Sequence, residues 1–218
     1  MTRTLALAAL LALAGPAAAQ DAPTVKVADT PPPKELAEPV RALLDSKAMT
    51  VSDAKGKALL TVWPRKSLSM KASDPGYTGL EESTVLGAVQ FPEVWKDYRR
   101  QNIKPGVYTL RLGLQPMDGD HMGTAPYNEF ALLTPADKDV KPDILEPKAL
   151  QEHSKASTTR KHPGLVLLFP NPKPGDKPEI EGKPQEHFVL SYKQPVKAGG
   201  KDAGLGVSLV VVGFSMAE

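Results

Sequence analysis

An all-β fold, an antiparallel β-sandwich of jelly-roll type with one short N-terminal helix and long Pro-rich loops, is what three features of this 218-residue chain predict. Short apolar runs recur along it, several with a two-residue period. Turn-forming residues separate them, supplied by 22 prolines and 17 glycines. Long helical patterns do not alternate with the strand-like runs, which argues against a parallel α/β sheet or a helical bundle.

The first nineteen residues stand apart from this pattern. Arg3 supplies a positive charge, Leu5 to Ala14 is an unbroken apolar run, and Gly15-Pro16 breaks any helix. Ala17-Ala18-Ala19 then offers the small-x-small pattern of a signal-peptidase site, so residues 1–19 read as a secretory signal. The apolar run is shorter than the roughly 20 residues a membrane span needs. A secreted or periplasmic mature chain with no transmembrane segment is therefore expected, and without cysteine there is no lipid-anchored N-terminus.

Residues 20–33 are polar and end in Pro31-Pro32-Pro33, which predicts a flexible leader. In "KELAEPVRALLDSK" the apolar residues Leu36, Val40, Leu43 and Leu44 fall at helical spacing, and Pro39 fits only near a helix start. A helix from about Glu38 to Ser46 follows. Strand-like runs come next: "ALLTVWP" from Ala58, "STVLGAVQF" from Ser83 and "GVYTLRLGLQ" from Gly106. In the last of these, Tyr108, Leu110, Leu112 and Leu114 share one face, and Val107, Thr109, Arg111 and Gly113 the other. The spacing predicts a half-buried strand whose Thr109 face tolerates truncation.

Further strands are expected in "YNEFALL", "LVLLF", "HFVLSY" and "LGVSLVVVGF", the final one apolar on both faces and central in its sheet. Between them lie two excursions. Thr134 to Gly164 holds "EPKALQEHSKAST", where Pro147 suits the first turn of a short helix. Pro170 to Pro184 is rich in Pro, Gly and charge and is expected to cross the surface unpaired. No internal repeat is present, so residues 34–218 form one domain.

Composition narrows the chemistry. With no cysteine, stability rests on a buried core rather than disulfides, and thiolate nucleophiles, Cys-ligated zinc and iron–sulfur clusters are excluded. The 27 Lys and Arg, less Arg3, leave 26 basic against 25 acidic residues, and no basic face points to nucleic acid. The chain lacks a Gly-x-Ser-x-Gly elbow, a phosphate-binding Gly-rich loop, a dinucleotide fingerprint and His-Glu-x-x-His. His121, His153, His162 and His187 are scattered. The adjacent Glu81 and Glu82 read as a solvated turn.

One segment carries a candidate site. "LQPMDGDHMGTAPYNEF" sets Asp118, Asp120 and His121 in a connection longer than a tight hairpin needs. Two carboxylates and an imidazole suit a divalent metal, although the terminal Glu of an EF-hand is missing. The competing account is structural: Asp118-Gly119 is a turn pair, aspartates cap backbone N–H groups, and His121 pins the loop. Arg111 and Tyr127 flank the segment as candidate ligand-binding residues. Arg111 would otherwise be exposed or pair with an acid such as Glu129. Trp63 and Trp95 could stack on a sugar, but a tryptophan at a strand end is more often core or rim packing.

At "GVYTLRLGLQP" followed by "GDHMGTAPYNEFALL", the chain resembles uncharacterised exported bacterial β-sandwich proteins that carry a signal peptide. "IKPGVYTLRL" is also similar to exported β-sandwich families in which a Pro-Gly-x-Tyr-x-Leu strand packs the core. The resemblance implies location and fold; it implies no activity, cofactor or catalytic residue. Together these readings predict a non-catalytic binding or structural module of the bacterial envelope, whose partner is an envelope protein, a polysaccharide or a small ligand. The alternatives are a metal-binding protein or metal-dependent enzyme centred on Asp118, Asp120 and His121, and a carbohydrate-binding module.

Overall fold

The structure, a computed structural model, describes residues 22–115, 127–160 and 162–215. It is mostly β. In chain order the elements are β1 (Thr24–Asp29), α1 (Glu38–Arg41), β2 (Lys47–Ser52), β3 (Ala58–Pro64), β4 (Leu68–Met70), β5 (Val85–Phe91), β6 (Trp95–Lys96) and β7 (Asn102–Ile103). They continue with β8 (Gly106–Leu114), β9 (Glu129–Pro135), α2 (Pro147–Lys155), β10 (Leu165–Leu167), β11 (Glu179–Lys183), β12 (His187–Ala198) and β13 (Lys201–Val212).

Seven strands form the larger sheet in the order β1-β2-β3-β5-β8-β9-β10, every pair antiparallel. The seven strands follow one another in chain order, the skipped elements being β4, which joins the other sheet, the β6–β7 hairpin and α2. That is a meander order, where a jelly roll would alternate strands between two sheets. The smaller sheet sets β12 between β13 and β11, with β4 joining β12 in parallel. A bridge from Leu168 to Leu209, and the Phe169 N–H donated to the Ser208 carbonyl at 2.9 Å, carry the chain beyond β10 onto β13. β12 rather than β13 is thus flanked by named strands on both sides.

The main core draws on both sheets. Tyr108, Leu110 and Leu112 from β8, Leu86 and Val89 from β5, and Val62 from β3 share one cluster with Leu190, Tyr192, Leu205, Val207 and Leu209. Burying one such side chain stabilises by roughly 1.5–3 kcal/mol, so the shared cluster is the main favourable term holding the sheets together.

The opposite face of the larger sheet is also covered. Leu36, Val40 and Leu44 pack over Trp63, Ala88, Val107 and Ala136. Helix α1 is shorter than its apolar spacing predicts, and the reason is local. Leu44 bridges to Arg65, Asp45 N–H donates to the Pro64 carbonyl and Lys66 N–H to the Leu43 carbonyl, so the chain leaves the helix to pair beyond the end of β3. Farther along, the segment 136–145 crosses Thr109 and Arg111, and α2 packs on β9 through buried Leu150.

Three expectations are corrected here. The leader is not structureless: Thr24–Asp29 pairs with β2 through six consecutive residues, because Thr24-Val25-Lys26-Val27 has strand composition. The 170–184 tract contains β11, paired with β12 across a turn in which Gln185 and Glu186 both take left-handed backbone. The Thr109 face of β8 is not solvated, since Thr109 and Arg111 are both 0 % exposed.

This last correction changes a stability expectation. Leu112→Ala should cost about 2–5 kcal/mol, as a fully buried leucine in a shared core. Thr109→Ala should cost about 1–3 kcal/mol rather than nothing, because it deletes a buried hydroxyl donating to Asp139. Urea midpoints of the two variants check both figures, and an unchanged midpoint for Thr109→Ala would contradict the buried assignment.

Candidate functional site

Asp118, Asp120 and His121 lie outside the described residues. The described residues form two polar assemblies and one aromatic assembly, each built from elements far apart in the chain.

The first centres on Arg111, midway along β8 on the covered outer face. Its Nε donates to Asp139 Oδ2 at 2.7 Å and its Nη2 to Asp139 Oδ1 at 2.7 Å, a two-point pairing of guanidinium and carboxylate. Nη2 also donates to the Lys141 carbonyl at 2.6 Å, and Nη1 to the carbonyls of Ser83 at 2.7 Å and Asp143 at 2.9 Å. Those contacts occupy all five guanidinium donors. The partner is therefore Asp139, not Glu129. Glu129 pairs with Leu114, three residues along β8, so the expected acid sat on the neighbouring strand but at the wrong register.

Ser83 completes this assembly. It is fully buried with φ of 72°, a left-handed backbone that a residue with a Cβ adopts at a cost of roughly 1–2 kcal/mol. In that conformation its carbonyl meets Arg111 while its Oγ accepts the Leu145 N–H at 3.0 Å. Losing one member of a buried ion pair costs about 3–5 kcal/mol, because the other charge stays behind without a partner. Beside it, half-buried Arg65 donates to the Val85 carbonyl, and its pKa is lowered by burial first and then by the Arg111 charge.

The second assembly holds Asp97, at the β6–β7 turn and 0 % exposed. Its carboxylate accepts the N–H groups of Gln101 (2.8 Å), Arg99 (3.0 Å) and Leu165 (3.4 Å), and the Gln101 amide at 2.9 Å. These bonds tie the small hairpin to the start of β10. Burial nevertheless pushes the Asp97 carboxyl above its ordinary value, outweighing the four donors that favour its charge.

The third assembly surrounds Tyr127, the residue at which the described chain resumes. Its half-buried ring meets Phe169 edge-on at 4.8 Å, and Phe169 packs at 6.1 Å from His187. Tyr98 also stacks on His187, at 5.7 Å. His187 Nδ1 lies 2.8 Å from the Pro184 carbonyl and donates to it; Nε2 is buried and has no hydrogen-bond partner among the described residues. Gly213, at φ of 133°, lets the chain pass here, since a Cβ would come within 2.2 Å of His187 Cδ2.

Both tryptophans are used in packing. Trp63 is 2 % exposed and donates to the Thr30 carbonyl at 2.9 Å. Trp95 stacks on Phe91 at 4.7 Å and donates to the Val211 carbonyl. Glu81 is exposed, whereas Glu82 is half-buried and accepts the Leu114 N–H at 3.3 Å. Among the described residues no three His, Asp or Glu side chains gather as a metal group, and no helix is long and apolar enough to cross a membrane. No protein-family model, curated protein or solved structure matches the chain.

Sequence reasoning passed over Ser83, Asp97 and Asp139. The spacing in Asp97-Tyr98-Arg99-Arg100-Gln101 is that of an aspartate capping its own turn, a signal the sequence did carry. Asp139 had none, because its position depends on the path of a non-repetitive segment.

The Asp97 environment sets a pH dependence. A carboxyl whose folded value is raised contributes stability that is full below its ordinary value of 3.8 and lost as pH climbs through the folded one. Asp97→Asn cannot ionise. Its stability relative to wild type should therefore improve as pH is raised from below 3.8 towards neutrality, read from paired urea midpoints. A difference that stays flat over that range would show that Asp97 is not raised.

Proposed function

We propose that the chain is an exported, non-catalytic β-sandwich that acts as a binding or structural module of the bacterial envelope. The observation that carries this reading is the use made of Arg111. The one basic side chain of β8 spends all five donors on protein acceptors, fixing the segment 136–145 onto the sheet. Asp97 is likewise committed to hydrogen bonds that join a hairpin to a strand. Polar groups spent in this way rigidify a scaffold. A core shared between two sheets supports the sandwich, and Arg3, the apolar run and Ala17-Ala18-Ala19 support export. N-terminal sequencing of the protein from an envelope or culture fraction should begin at Gln20 or within a few residues. A full-length N-terminus there would refute the export half of the reading.

A second reading keeps the Asp118, Asp120 and His121 segment as a divalent-metal site. One observation favours it: Tyr127 reaches the sheet through Phe169 beside His187, whose Nε2 is an unpartnered buried ligand atom. A bound ion stabilises the native state by mass action, and its imidazole and carboxylate ligands must be deprotonated. On this reading chelator lowers Tm for the metal-exposed wild type, less so at acid pH, and has no effect on His121→Ala. On the first reading chelator leaves the wild-type Tm unchanged, and His121→Ala shifts it equally with and without chelator.

A further inference from the structure

The N-terminal strand is held differently from every other strand of the larger sheet. β1 pairs with β2 alone, at the sheet edge, and of its six residues only Val25 is half-buried against the core while the rest are exposed. Val27, which belongs on the core side, is 45 % exposed. Buried Pro23, the six-pair ladder, a close approach to β11, and the two bonds of Thr30 (its N–H to Ser46 at 2.7 Å, its carbonyl from Trp63 Nε1) add to its attachments.

Between this arm and the body lies Pro31-Pro32-Pro33. Three prolines have no N–H to donate, and the connection's backbone bond, the Leu36 N–H to the Pro33 carbonyl at 3.3 Å, lies at its anchored end. They prefer an extended form of about 3.1 Å per residue, a stiff spacer roughly 9 Å long. The connection also spans open space: Pro31 and Pro32 border a cleft of about 540 Å³ whose other walls include Arg41, Leu44 and Lys66. Past it, Leu36 and Val40 are locked into the covering layer. The arm ends, and the anchored body begins, on either side of this spacer.

We propose that residues 22–30 form an exchangeable arm, and that the β2 edge accepts the same arm from a second copy of this chain. The occupant follows from complementarity already present. A second molecule offers the identical six-residue ladder, the same Val25 contact and the same Thr30 bonds, so exchange conserves each of them. Only the direction of the triproline changes, and a stiff extended spacer favours leaving its own body over folding back on it.

The chain's lack of cysteine gives a clean test. Lys26 and Thr50 are directly opposed in the ladder, and neither is buried. The double variant Lys26→Cys, Thr50→Cys is refolded at micromolar and at millimolar concentration, oxidised, and run on a non-reducing gel, with sedimentation of wild type alongside. Expected are an intrachain link at low concentration and a covalent dimer, doubled in mass, at high concentration. The dimer should diminish when Pro31, Pro32 and Pro33 are all replaced by glycine. An intrachain link alone at both concentrations overturns the proposal, even if the sample sediments as a dimer, since that dimer would form by edge or face contact without exchange. If the cysteines do not link, a monomeric wild-type mass at both concentrations overturns it equally. If they do not link and wild type doubles in mass at high concentration, mixing tagged and untagged wild type with or without residues 22–30 decides: co-capture that needs those residues supports exchange, and co-capture without them overturns it.

Discussion

A guanidinium carried to the middle of a sheet face cannot remain there unpaired, and the covering of the larger sheet follows from how Arg111 is answered. Its desolvation is a cost of several kcal/mol that only a close, multiply bonded carboxylate can offset. Asp139 supplies that carboxylate with two-point geometry, and the carbonyls of Lys141, Asp143 and Ser83 take the remaining donors. The segment 136–145 has no helix or strand of its own to dictate its course. The cation dictates it instead. Such a pair adds little net stability against an apolar replacement of the same shape; what it provides here is a single path for an irregular segment.

The same geometry explains why β8 is buried on both faces. Inward, Tyr108, Leu110 and Leu112 meet the smaller sheet. Outward, the cover changes in kind along the strand: apolar over Val107, where Leu36 and Val40 dock, and ionic over Thr109 and Arg111. The apolar half is non-directional and tolerant, while the ionic half is directional and demands one backbone conformation. The left-handed Ser83 shows that demand reaching into a neighbouring turn.

Much of the β framework was legible because it is written in short-range patterns. The alternation from Tyr108 to Leu112 marked the core-facing side of β8, and Pro147 marked the start of α2. Two kinds of information were not local. Whether the polar-looking side of a strand is solvated depends on what covers it, so Thr109 read as a position that tolerates truncation and Arg111 as exposed or paired with an acid such as Glu129. Where a helix stops can depend on a remote pairing, as with Leu44 and Arg65. The candidate site was legible in part: Arg111 and Tyr127 are placed, the first with an acid no periodicity announced and the second in an aromatic group drawn from Tyr98, Phe169 and His187.

The meander order of the larger sheet bears on how the molecule acquires its shape. From β2 to β10 every strand of that sheet finds its partner in a segment already made, so pairing can advance from the N-terminal side as the chain lengthens. Its inward face, however, has no cover until β12 and β13 arrive, joined by a tight turn in which Gly199 and Gly200 both take left-handed backbone. A chain stopped before residue 187 would hold a nearly complete sheet with one greasy side open to solvent. Closing that side is therefore the work of the β12–β13 hairpin, His187–Val212, and until it forms the apolar face is exposed to association with other chains.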